Sequence, residues 1–323
     1  MTRPVLGPRE RPAAAALIIL LLLLAGAAPG FFDPANLRDL LLANAAVTVI
    51  AVGMTLVVLT GHIDVSVGST FGVAAVVAGT LSREGVPVPL AGAIATALAG
   101  LIGLITGLLV TRLGLPSIVV TLALLVVLRD GLRWSTDGAW VRDLPATFQW
   151  FGLDQEPGRL LILGVTAATV AAGAWALRSL ALGRVIYAAG SDPESARLLG
   201  LRPERVVTSA FVLSGSLTGL AAVLNASRFA EVPGAVVAGL ELKVIAAVVV
   251  GGTVITGGRG SMLGTLLGVA LLGTLGTGLT FLGVSAYWER ALQGGIILAA
   301  ILYETARRSL RARATAQPAA SHA

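Results

Sequence analysis

Long apolar runs, interrupted by short polar or glycine-rich segments, recur along the chain. They predict spans near residues 13–28, 44–60, 65–81, 88–110 and 116–128. A polar stretch follows at 129–158, and further spans lie near 159–177, 206–227, 242–255, 262–282 and 288–303. A run of ~20 apolar residues crosses the hydrocarbon core as a helix. A lone strand there would leave its backbone groups unpaired, so every span is predicted helical. The expected fold is all-α, a polytopic membrane helix bundle of about ten transmembrane helices. One membrane domain (13–304) would lie between an N-terminal arm (1–12) and a basic tail (305–323), with a polar loop at 178–205. The first run follows Arg11 and ends in AGAAPG, which resembles a secretory signal with a small-residue cleavage site. Because embedded chain follows throughout, the run is expected to stay as the first span.

Composition agrees with this pattern. Of the 323 residues 56% are hydrophobic and 12% charged, with mean hydropathy +0.89. A soluble domain carries about 25% charged residues. The formal charge of +6 comes from arginines at span ends and in loops, which fits membrane orientation and not nucleic-acid binding. Arg3, Arg9 and Arg11, the arginines of 178–205, and Arg307, Arg308, Arg311 and Arg313 fall on one side if the spans number ten. That side is expected to be the cytoplasm, with both termini there and 129–158 outside. The chain has no cysteine and two histidines, which excludes disulfides, thiolate chemistry and a histidine-rich metal site. No cofactor is expected.

Forty glycines suit close helix packing in lipid. Gly92, Gly100, Gly103 and Gly107 share nearly one helical face. Three other segments carry candidate chemistry. In TGHIDVSVGS (60–69), Thr60, Asp64 and Ser66 break an apolar run. This is either a helix break at the mouth of a pathway or a turn in which Asp64 caps the next helix; the two are compatible. In GRVIYAAGSDPESARLLGLRPERV (183–206), Ser191, Asp192, Pro193 and Glu194 read as a helix start, and Gly200 as its end. Ser195, Ala196, Arg197, Leu198 and Leu199 continue the helix, with Ala196, Leu198 and Leu199 as its apolar positions. Docking to a soluble partner and lying on lipid headgroups both remain open for it. In VVVGGTVITGGRGSMLGTLLG (248–268), Gly251, Gly252, Gly257 and Gly258 bracket a short apolar stretch. The phosphate-binding spacing GxxxxGK[ST] is absent. No nucleophile, paired acid and base, or ATP-binding motif is found, so uphill movement would need energy from another protein.

At these segments the chain resembles the ribose-type permeases of bacterial binding-protein-dependent ABC importers. The family pattern GxTLV…TGxIDxSVGS is matched at 53–69, GRxxYAxGxNxxAAxLxGI at 183–201 and ELxxIAAVVxGGTxxxGGxGSxxGTxxG at 241–268. GLPSIVVTL (114–122) resembles PxFIxTLG, with Ala123 where that glycine is usual. The resemblance implies a transport subunit, not an enzyme, in a bacterial cell membrane. It implies an ABC ATPase docked on 183–205, an extracytoplasmic solute-binding protein, a second permease subunit and two helix groups of inverted orientation. HIDVSVGS, LPSIVVTL and DGAWVRDLP (137–145) look closest to the autoinducer-2 and rhamnose branch, which implies a sugar or sugar-like solute. The alternatives are a branched-chain amino acid permease and an ion-coupled secondary transporter. The latter usually shows intramembrane carboxylates, and apart from Asp64 at a loop edge no span carboxylate is expected to serve.

Overall fold

The computed structural model describes residues 7–28, 30–234 and 239–285, with isolated positions between 288 and 298. Among the described residues there are eleven α-helices and no β-strand. They are α1 (Arg11–Ala27), α2 (Pro34–Leu59), α3 (Val67–Arg83), α4 (Val88–Arg112), α5 (Ser117–Thr136), α6 (Gln155–Ser179), α7 (Ala181–Ser191), α8 (Pro193–Leu198), α9 (Pro203–Ala226), α10 (Leu240–Val250) and α11 (Met262–Phe281). Five of them, α2, α4, α6, α9 and α11, are long and apolar enough to cross a bilayer.

The apolar runs mark the helix cores well and their ends less well. α2 begins at residue 34, ten residues ahead of the expected span, because Asp33 accepts a hydrogen bond from Ala35 N and Pro34 opens the helix. Arg38 and Asp39 lower the hydropathy of that turn without ending it. α5 runs eight residues past the expected end, through Arg129 and Arg133, so the polar stretch opens with two helical turns. α10 stops at Val250 because Gly251 and Gly252 leave the helix, the latter at φ +93°. The expected last span and basic tail lie outside the described residues, apart from the isolated positions near 288–298.

α2 is the central helix. Val49, Ile50, Ala51 and Met54 are fully buried, and it packs against α6, α9, α10 and α11. α4 and α9 form the closest pair, and glycine is the reason. A Cβ on Gly103 would overlap Phe211 O, and one on Gly215 would overlap Ala99 O. Gly107 approaches the Thr208 backbone and Gly219 the Thr96 backbone. The shared glycine face expected on this helix is therefore its packing face. The opposite side of α5 leaves Ile118, Val119, Leu122, Val126 and Val127 exposed, a stripe suited to lipid or another apolar surface.

The 137–154 segment is folded onto the end of α9. Val141 and Val232 exchange backbone hydrogen bonds at 2.8 and 3.0 Å, Trp150 N donates to Ser227 O at 2.6 Å, and Phe148 is buried.

Candidate functional site

Three of the segments singled out above meet at one end of the bundle. The first is the exit from α2. The Thr60 hydroxyl donates to Val57 O at 2.7 Å, and Gly61 turns the chain at φ +83°. Asp64 is buried, and its Oδ1 accepts from Ser66 N at 2.9 Å and Ser66 Oγ at 2.6 Å. The cap position of α3 belongs to Ser66, whose own side chain makes no capping bond. The expectation that Asp64 is the N-cap is thereby corrected. Its short side chain reaches the amide two residues on, which closes the turn ahead of the helix.

The second segment joins α10 to α11. Gly252, Gly257 and Gly258 all have positive φ, at +93°, +86° and +70°, where glycine carries no steric cost. Val254 N donates to Arg259 O at 2.8 Å, and Ser261 caps α11 by accepting from Gly264 N at 3.0 Å. A Cβ on Gly251 would overlap Gly264 O, so the α10–α11 hairpin closes backbone to backbone.

The third segment is the stretch expected to hold one short helix. It holds two. Leu180 to Asp192 includes α7, which sequence reasoning missed although its moment is that of an amphipathic helix. α8 starts as expected: Asp192 accepts from Glu194 N at 3.1 Å and Ser195 N at 3.2 Å, Pro193 fills the first turn, and Gly200 follows at φ +79°. Bonds from the Ser195 hydroxyl and the two amides hold the Asp192 carboxyl below its ordinary range. Arg197 donates to Glu204 Oε1 at 2.6 Å.

The expected apolar set of α8 is split. Ala196 is 2% exposed and packs into the chain itself, whereas Leu198 and Leu199 are 89% and 78% exposed. At about 100° per residue, Ala196 and Leu198 face opposite ways. The outward apolar pair is therefore Leu198 and Leu199, and Ala196 is a packing residue. Glu194 and Arg197 lie on the exposed surface.

The three segments touch through backbone. Gly258 N donates to Leu59 O at 2.8 Å. A Cβ on Gly190 would overlap Leu59 O and stand 2.7 Å from Gly258 N, and one on Gly257 would stand 2.7 Å from Gly190 O and Gly61 N. Tyr187 Oη donates to Gly260 O at 2.9 Å. The N-terminal arm joins them: the Ser261 hydroxyl donates to Glu10, beside a cavity of about 260 Å³ lined by Gly7–Glu10 and by Gly251, Gly252, Gly260 and Ser261. No group of three or more metal-ligating side chains exists among the described residues.

One charged pair was not anticipated from sequence. Glu241, at the start of α10, is 7% exposed, and Arg129 of α5 donates to its Oε1 at 3.3 Å. Its signal was present: Ser117, Thr121, Leu125 and Arg129 follow one another at four-residue spacing on the packed face of α5.

Residues 36–301 match the family described as "Branched-chain amino acid transport system / permease component". The chain is 37% identical over 282 residues to the autoinducer 2 import system permease protein LsrC of Escherichia coli strain K12 / DH10B, covering 85% of this chain and 82% of that protein. It is 34% identical over 281 residues to the ribose import permease protein RbsC of Escherichia coli strain K12, covering 86% and 88%. No solved structure matches. With the family matched over most of the chain, and with relatives this similar over 82% and 88% of their length, the protein belongs to the permease family of these import systems and is a transmembrane transport subunit, not an enzyme.

Proposed function

We propose that this permease moves a sugar or sugar-like polyol inward across a bacterial cell membrane, driven by ATP hydrolysis on an ABC ATPase that docks on α8. The observation that carries this reading is the junction of Leu59, Gly190 and Gly258, which ties α7, and through it α8, by backbone contact to two breaks among the spans. A solute-binding protein delivers the solute at the opposite end, where 137–154 folds over α9. A second permease subunit completes the channel, and the exposed apolar stripe of α5 offers one surface for it. Thr60, Asp64, Ser66 and the glycines at 251, 252, 257 and 258 lie along the inner end of the pathway.

The membrane domain reads as ten spans: α1 to α6, α9 to α11 and the run at 288–303. α10 crosses only in part, since 11 residues make about 16 Å against ~30 Å of hydrocarbon. On this reading the arm, 178–205 and the tail are cytoplasmic. The bond from Ser261 to Glu10 supports one side for the arm and the glycine loop. The group opening with α2 runs inward and the group opening with α9 outward, an inverted pair. Reporter fusions at Asp154 and Ser191 should give opposite signals; equal signals would break this topology.

The names of the relatives favour a sugar-like solute, and the family description favours a branched-chain amino acid. Reconstitution with the ATPase and binding protein, and ATP-dependent uptake of labelled D-ribose, L-rhamnose, autoinducer-2 and L-leucine, decides between them. Uptake of a sugar-like probe and not leucine is expected. Leucine uptake alone would overturn the substrate reading.

A further inference from the structure

α3, α5 and α10 meet around Glu241. Its Oε1 accepts from Arg129 Nη2 and from Gly239 N, both at 3.3 Å. Its Oε2 and Arg129 Nε are buried and have no hydrogen-bond partner among the described residues. A Cβ on Gly68 would overlap Oε2, so the carboxylate is seated on bare α3 backbone. Arg129 is twelve residues into a 20-residue helix, about 18 Å along it, which places the pair at membrane depth on the topology above. The start of α10 favours a negative charge there.

The pair is a poor lock. A strong charge-assisted bond is ~2.7–2.9 Å, and a buried ion pair repays its lost hydration only when its remaining donors and acceptors are also satisfied. Here neither condition holds. Together the two halves remain able to bind a solute that donates to Oε2 and accepts from Nε–H. Adjacent hydroxyls of a polyol do this: one donates to Oε2 while its neighbour accepts from Nε–H.

We propose that Arg129 and Glu241 form a bolt across the pathway, closed in this structure and opened by passing its two charges to neighbouring hydroxyls of the solute. The inference rests on the transport reading above and names the groups that handle its substrate class.

The native chain lacks cysteine, so Arg129→Cys with Glu241→Cys gives a single reactive pair. A short, reducible bis-methanethiosulfonate spacer can stand in for the two side chains in the reconstituted complex with its ATPase. Unlinked, the variant should hydrolyse ATP without needing the binding protein, because the bolt is gone. Linked, hydrolysis should fall at least tenfold and return with reductant. Separately, Glu241→Gln should raise the KM for uptake of D-ribose about tenfold, or of whichever of the four probes the wild type accepts. A linked complex that turns over like the unlinked one overturns the proposal, as does a Glu241→Gln protein with wild-type KM. A cysteine pair that never reaches the membrane assigns the ion pair to folding and overturns it too. A wild-type complex with no uptake and no stimulated hydrolysis instead fails the transport reading, and the bolt with it.

Discussion

The outward face of α8 gives the sharpest test of ATPase docking. Leu198 stands 89% exposed beside Leu199, on a helix whose other side is closed by Ala196. Fully burying one leucine side chain is worth about 1.5–3 kcal/mol. If Leu198 inserts into a cleft on the ATPase, Leu198→Ala removes about 2 kcal/mol of that, or roughly thirtyfold in affinity. Leu198→Asp also places an unpaired charge in the cleft, costing several kcal/mol more, so affinity should drop beyond a hundredfold. The permease should still reach the membrane at normal abundance, because the side chain touches little of its own chain. Ala196→Asp is the contrasting variant: it buries a carboxylate inside the permease and should lower abundance before docking is tested. The assay is co-purification of the ATPase with each variant, together with binding-protein-stimulated hydrolysis. If Leu198→Asp retains the ATPase fully and hydrolysis still responds, α8 is not the docking helix, and a helix lying on lipid headgroups becomes the better account.

Other substitutions probe the packing and the junction. Gly103→Val drives a branched side chain into Phe211 O and should cost about 1–3 kcal/mol or more, read as a lower melting temperature in detergent; an unchanged melt would deny the close α4–α9 approach. Asp64→Asn keeps the acceptor for Ser66 and should preserve abundance, whereas Asp64→Leu strands a buried amide and a hydroxyl at about 1–3 kcal/mol each. Normal uptake by the Leu variant at normal abundance would remove Asp64 from both turn and pathway. Gly190→Ala should leave the ATPase bound but separate hydrolysis from uptake, since its Cβ displaces the Leu59–Gly258 contact; tight coupling in that variant would refute the junction's role.

Much of the fold was legible because lipid imposes a simple rule: apolar runs of sufficient length are helices. The start of α8 was legible too, because Asp192 and Pro193 act locally. Part of what escaped depends on partners distant in sequence. Arg129 looks like the first residue of a loop until Glu241, 112 positions later, gives it a counter-charge. Ala196 looks like part of an outward apolar patch until α8 is set against its own bundle. α7 hides within a polar stretch because its glycines and Arg184 mask an amphipathic period. Asp64 binds the expected amide from a position too early to be the cap, since a small shift along the chain decides whether an aspartate caps a helix or closes the turn before it.

The junction also explains why glycine occupies its contact points. Side chains at a contact can repack when one helix shifts, and that slack dissipates a small displacement. At Gly190, Gly257 and Gly258 the approach is backbone to backbone, and Leu59 O already accepts from Gly258 N. A displacement of α7, to which α8 is joined at Asp192, therefore has few ways to be absorbed before it reaches the end of α2 and the loop between α10 and α11. Tight interiors transmit strain for the same reason. α2 is the buried centre of the bundle, and α10 carries Glu241 at its far end, 11 residues from Gly252. A push delivered to α8 thus has a short, stiff route to the helix that holds half of the bolt.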